Sequence, residues 1–148
     1  MVSPLMDHHR PSWIALRQRL WPDCSIPDHM AEIAQWVADP TRYPCFGAFR
    51  DNALVGFIEG SIGIHPMTDL SNPVAFVEGL FVDESSRKKG IGRALIEELE
   101  KTATRRGHST IYSDTEAFNT ASIAFHLRCG FHIFRATATE VVFEKRIV

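Results

Sequence analysis

The sequence predicts an α/β protein, a mixed sheet with helices on its faces. Three observations carry this reading. The first 40 residues show helical periodicity. A strand, a glycine-bearing polar loop and an amphipathic helix follow one another over 74–105. Two further β-rich segments close the chain. At 148 residues the chain matches a single domain over 1–148, long enough to bury roughly two-thirds of its unfolded surface.

Trp13, Leu16 and Leu20 mark one face of a first helix, and Pro22 stops it. Pro27 suits the first turn of a second helix. There Met30, Ile33, Ala34 and Val37 recur at helical spacing until Pro40. Residues 45–50 and 53–64 read as a hairpin across a turn at Asp51 and Asn52. Residues 65–73, with Pro66, Asp69, Asn72 and Pro73, read as a loop. A strand is expected over 74–82. A helix over 91–105 aligns Ile91, Leu95, Leu99 and Ala103 at i+4 steps, with Gly107 as its stop. Then come a short strand at 110–114, a helix at 119–128 and strands at 131–137 and 140–147.

Composition narrows the function classes. The chain is 45% hydrophobic and 23% charged, as in ordinary globular proteins. A net charge of −2 and the lack of a long basic run give no sign of a nucleic-acid partner. Cys24, Cys45 and Cys129 are odd in number, widely spaced and free of a Cys-x-x-Cys pair. Neither a disulfide framework nor a zinc site is indicated, and a reducing compartment fits. No apolar signal core opens the chain, and no window approaches about 18 consecutive apolar residues. A cytoplasmic protein with no membrane partner is expected.

Arg87-Lys88-Lys89-Gly90-Ile91-Gly92 lies between strand and helix. Helix N-termini leave backbone N–H groups unpaired, and glycines let such a backbone approach an anion. Lys88, Lys89 and Arg93 add positive charge. A dinucleotide fingerprint would need a small residue where Leu95 stands, and a P-loop would need Gly-Lys-Ser/Thr. The remaining pattern, R-x-x-G-x-G after a strand, resembles the CoA-binding motif of GNAT acetyltransferases. Asn119 before a helix and Cys129-Gly130-Phe131 after it resemble the second signature of that family. The resemblance covers nearly the whole chain and implies a mostly antiparallel central sheet. It implies acetyl-CoA as cosubstrate and no metal. Backbone groups of Leu80, Phe81 and Val82 would pair with the pantetheine arm. Lys88, Lys89, Gly90, Ile91, Gly92 and Arg93 would wrap the pyrophosphate, with Asn119 nearby.

Two carboxylates point to the acceptor. Strand alternation puts Glu78 on one face with Phe76, Leu80 and Val82, where a carboxylate is costly unless paired or hydrated. Gly79 beside it signals a bulge or a close backbone approach. Asp114 ends a strand, where sites of open α/β sheets gather. Structural roles, an ion pair for Glu78 and a turn or cap for Asp114, stay open. Leu20-Trp21-Pro22, the segment 73–79 and Ser113-Asp114-Thr115 resemble aminoglycoside 6'-N-acetyltransferases. That resemblance implies antibiotic resistance through an acceptor pocket of Trp21, Glu78 and Asp114, with His65 a further candidate, and a homodimer. In place of acidic residues that relatives carry after Gly-Phe, this chain has His132-Ile133-Phe134-Arg135, which brings a positive charge toward the pocket.

The acceptor amine must be neutral to attack a thioester, at a cost of about 4 kcal/mol at pH 7. Asp114 or Glu78 could take its proton, directly or through water. A backbone N–H near Leu80 or Phe81 would stabilise the oxyanion. No cysteine has the setting of an activated thiolate, which favours direct transfer. Many GNAT enzymes place an acid tyrosine where this chain has His126. Either His126 replaces it, or CoA leaves as a thiolate, whose parent thiol has a pKa near ~8.5. Two other functions share these features: acetylation of another small-molecule or protein amine, and a non-catalytic acyl-CoA-binding module.

Overall fold

Capping and turn chemistry delimit the elements in this computed structural model, which describes residues 1–148. After β1 (Val2–Pro4), α1 (Arg10–Leu20) closes with the Trp21 amide on Arg17 O at 2.8 Å. Pro22 has no N–H with which to extend it. Ser25 Oγ accepts from the Asp28 amide at 3.2 Å and opens α2 (Ile26–Ala38). Asp51 and Asn52, both at positive φ (51° and 64°), join β2 (Cys45–Arg50) to β3 (Ala53–Gly63). Two positive-φ residues match the twist of a tight hairpin. β4 (Val74–Val82), α3 (Ile91–Arg105), β5 (Thr110–Glu116), α4 (Thr120–Arg128), β6 (His132–Ala136) and β7 (Glu140–Arg146) follow.

One seven-stranded sheet runs β1-β2-β3-β4-β5-β7-β6. β4 and β5 are parallel, and every other neighbouring pair is antiparallel. The mixed sheet expected from the sequence is therefore present. β1 was not expected: three residues carry no period, and only pairing with Phe46–Ala48 makes them a strand. The 65–73 loop also contains a single turn of 3₁₀ helix at Pro66–Thr68.

α3 covers one face of the sheet, where Leu95, Ile96 and Leu99 meet Ala75, Val77, Ile111 and Phe143. α1 and α2 cover the other, where Trp13, Leu16 and Ile33 meet Phe57 and Phe81. The α2 face is turned from the one expected. Met30 is 51% exposed, whereas His29 is fully buried beside Ile33. A hydrogen bond to Arg17 satisfies one ring nitrogen of that imidazole, which hydropathy alone does not foresee.

The β3–β4 register jumps between Glu59 and Gly60, which pair with Gly79 and Val77. Glu78 is the extra residue of a bulge, as Gly79 suggested. The bulge corrects the expected face. Phe76 packs with Val74 and Tyr112, but Leu80 and Val82 join the α3 side with Ala75 and Val77. Simple alternation fails there because an inserted residue switches the parity of the strand. No helix is long and apolar enough to cross a membrane.

Candidate active site

β4 and β5 pair only at Ala75–Val77 with Ile111–Ser113. β4 then continues along β3, and β5 along β7. Past Val77 the edge of β4 facing β5 therefore has no strand partner, and a cleft of about 1080 Å³ opens there. Leu80, Phe81 and Val82 line it with free backbone on that edge.

One end of the cleft is basic. Arg87, Lys88, Gly90, Ile91, Gly92 and Arg93 line it, joined by Arg19 and Arg128. Gly90 is the N-cap of α3 at φ 79°, a conformation that only glycine adopts freely. Gly92 serves packing instead: a Cβ there would lie 3.0 Å from Phe125 of α4. Three of the cations are tied down. Arg19 is paired with Asp83. Arg87 Nε donates to Val82 O at 2.8 Å, and Arg93 Nη2 to Arg128 O at 2.8 Å. Lys89, expected in this group, faces a second, smaller pocket with Met1 and Arg50, and its Nζ donates to Ser85 O. Lys88 at φ 61° turns the backbone just before the Gly90 N-cap, so charge adjacency in sequence did not place Lys89. Asn119 lines the cleft while Oδ1 accepts from the Ser122 amide at 3.1 Å and caps α4.

The other end is acidic. Glu78, Asp114, Glu116 and Glu140 all line it. Ser61 Oγ donates to Glu78 Oε2 at 2.6 Å. His65 Nδ1 accepts from the Met67 amide, so His65 Nε2 holds the proton and donates to the same carboxylate oxygen at 2.9 Å. His65 stacks on Phe76 at 3.7 Å and does not itself line the cleft. The partners of Glu78 are thus a histidine and a serine. Burial pushes the Asp114 carboxyl up to about 6, helped by negative Glu140, Glu78 and Glu116 and opposed by His65. Glu140 and Glu116 were missed in the sequence. Glu140 reaches the cleft because β7 inserts between β5 and β6, an order that sequence proximity does not suggest. Arg135 does not bring positive charge to the cleft: it bonds Asp69 and Met67 O and clamps the β3–β4 loop.

Trp21 lines the cleft and packs over Gly79, where a Cβ would lie 2.4 Å from the indole. His126 also lines it, stacked on Phe143 at 4.2 Å. His126 Nδ1 donates to Ser122 O at 2.8 Å, which leaves Nε2 to accept from Ser113 Oγ at 2.8 Å. Burial pulls the imidazole pKa down, against the Ser122 hydrogen bond. Ser113 belongs to the Ser113-Asp114-Thr115 segment that carries the resemblance, but no role in the site was assigned to it from the sequence. No group of three or more His, Cys, Asp or Glu side chains is placed to hold a metal.

The chain resembles proteins of known activity over nearly its whole length. Residues 5–131 match the Acetyltransferase (GNAT) family. Aminoglycoside N(6')-acetyltransferase type 1 of Klebsiella aerogenes is 35% identical over 134 residues, 88% of each chain. The Serratia marcescens protein of the same name is 33% identical over 96% of each. Among solved structures, AAC(6')-Iy in complex with the bisubstrate analogue CoA-S-monomethyl-acetylneamine superposes with a TM-score of 0.85. It is 29% identical and covers 93% of each chain. A matching family model, relatives above 30% identity and a cleft framed by splayed parallel strands agree: the chain belongs to the GNAT acetyltransferase family.

Proposed function

We propose that this chain transfers the acetyl group of acetyl-CoA directly to the 6'-amino group of aminoglycosides, and so confers resistance to them. The observation that carries the reading is the polarity of one cleft: cations at the α3 end, and Glu78, Asp114, Glu116 and Glu140 at the other. A doubly charged pyrophosphate suits the first, and a polycationic amino sugar the second. Relatives named as aminoglycoside N(6')-acetyltransferases support the acceptor.

In this reading Lys88, Arg93 and the first amides of α3 hold the pyrophosphate, and pantetheine lies along Leu80–Val82. Glu78 and Trp21 orient the amino sugar. Asp114 takes the amine proton, directly or through one water. A neutral carboxylic acid could not, so the pKa near 6 fits a base that is ionised at neutral pH and still basic enough to work. The freed amine attacks the thioester carbon. An unpaired β4 N–H near Leu80 stabilises the oxyanion. The attacking nitrogen, cationic after attack, gives its second proton to water in the cleft, and the intermediate collapses to the amide and expels the CoA thiolate. His126 has no proton to offer toward the cleft, because its N–H is committed to Ser122 O. The thiolate therefore leaves without an acid from this side chain.

The 148 residues act as one domain. A homodimer belongs to the same reading, supported by the exposed edge strand β6, where Ile133 is 50% and Phe134 36% accessible. Free Cys24, Cys45 and Cys129 suit the reducing cytoplasm. Thiol release from acetyl-CoA, measured on aminoglycosides with and without a 6'-amine, tests the function. Turnover confined to the 6'-amino compounds is expected. Turnover only on other amines would overturn the acceptor, and acetyl-CoA binding with no turnover on any amine would overturn catalysis.

A further inference from the structure

Arg17 of α1 and Glu59 of β3 are each only 1% exposed, and the reaction described above uses neither. Arg17 Nε lies 2.8 Å from Glu59 Oε2. Trp13 Nε1 donates to the same oxygen at 2.8 Å. Arg17 Nη1 donates to His29 Nδ1 at 3.1 Å, and Nη2 bonds Glu32 at the surface of α2. His29 accepts at Nδ1, so its proton is on Nε2, which has no partner. Burial pushes the Glu59 carboxyl up to about 7, while Arg17 and the Trp13 N–H hold it down.

Stability alone is a poor account of this cluster. A buried ion pair costs both partners their water, and packed apolar groups of similar volume often serve as well. The cluster points instead toward the acceptor end of the cleft, by two routes. Arg17 Cζ lies 4.8 Å from the centre of the Trp21 ring, and Arg17 O accepts the Trp21 amide. Glu59 is the cross-strand partner of Gly79 at the edge of the bulge that projects Glu78. Trp21 and Gly79 are themselves in contact across the cleft wall. One buried pair thus reaches both the indole and the backbone against which it rests.

We propose that the buried Arg17–Glu59 pair is a positioning device for the acceptor pocket, holding the Trp21 indole against Gly79 at the β4 bulge. It acts through Trp21 and the bulge and touches no reacting atom. The inference rests on the reading of Trp21 as part of the acceptor pocket.

The test compares Glu59→Gln, which keeps the shape and removes the charge, with Trp13→Phe, which keeps an apolar ring and removes the N–H donor. Ile33→Ala is the control, since Ile33 is equally buried in the same cluster without a polar group. The first readout is the Trp21 indole N–H resonance in the free protein, assigned with Trp21→Phe. The second is the KM for an aminoglycoside set against the KM for acetyl-CoA. Glu59→Gln and Trp13→Phe are expected to shift and broaden the Trp21 signal. They should raise the aminoglycoside KM about tenfold and leave the acetyl-CoA KM in place. Ile33→Ala should lower Tm and leave both readouts unchanged. An unmoved Trp21 signal in either folded variant would overturn the proposal, as would an equal movement in Ile33→Ala. Failure of the functional reading shows separately, as absent aminoglycoside turnover by the unaltered protein, and the indole signal still decides the positioning role.

Discussion

Asp114 carries the sharpest chemical expectation. Its carboxyl is raised to about 6 by burial and by neighbouring carboxylates, so a base at this position is lost as the pH falls through 6. The pH profile of kcat/KM for the acceptor is expected to show an acid limb near that value. Asp114→Asn should remove the limb and lower kcat by about 100-fold or more, the usual worth of a positioned base. The same shift has a stability consequence of opposite sense. A folded-state pKa above the unfolded one means that the native protein holds the proton longer, so stability declines as pH rises from about 4 to 6. Asp114→Asn is therefore expected to melt higher than the unaltered protein at pH 8, with no gain at pH 3.5. Each kcal/mol relieved is worth about 2–4 °C at this size. Thermal melts at the two pH values check it. Glu78 was legible in the sequence because a carboxylate in an apolar strand is conspicuous, and Asp114 because it was expected at a strand end. β5 in fact runs on to Glu116, since pairing with β7 extends it, and Asp114 sits inside the strand opposite Val142. Ser113 and Glu140 were not, because nothing in the local pattern distinguishes a cleft-facing polar residue from a solvated one.

Among the elements, the β4 bulge and the start of α3 shape the two ends of the cleft independently. Gly79→Ala would drive a Cβ to 2.4 Å from the Trp21 ring. Overpacking of this kind costs about 1–3 kcal/mol. Because the ring belongs to the proposed acceptor pocket, the expected result is an aminoglycoside KM raised by about tenfold or more and an acetyl-CoA KM nearly unchanged. Gly92→Val should do the reverse. Its side chain meets Phe125 at 3.0 Å or closer and pushes α4 from the Arg87–Gly92 loop, so if that loop holds the pyrophosphate as proposed, the acetyl-CoA KM should rise while the acceptor KM holds. Steady-state kinetics with each substrate varied in turn separate the two. The boundaries of α3 and β4 were readable from periodicity, Gly90 and Gly107. The bulge was only hinted at by Gly79, since a register jump belongs to two strands at once and neither strand records it alone. The buried face of α2 was misread for a related reason. His29 is tolerated inside only because Arg17 from another helix meets it.

Across the whole molecule, a net charge of only −2 conceals a strongly divided cleft. Attraction of a polycation to four carboxylates is screened by salt, whose Debye length falls to about 3 Å at 1 M. Raising the ionic strength to about 1 M is expected to raise the aminoglycoside KM, more steeply for acceptors with more amino groups. A flat response across such a series would remove electrostatic steering from the account. The sequence by itself determined the element order from α1 onward, the basic, glycine-bearing loop before α3 and two of the four cleft carboxylates. These depend on residues near one another in the chain, where period, caps and glycines leave a direct imprint. Only the tertiary structure decided that β7 lies between β5 and β6 and brings Glu140 to the cleft, and that Arg135 turns away to clamp a loop. The parity of β4 after Glu78, and the burial of Arg17 with Glu59 beneath Trp21, were decided there too. Each of these depends on which distant segments pair or pack together, and one strand or helix carries no record of its partner.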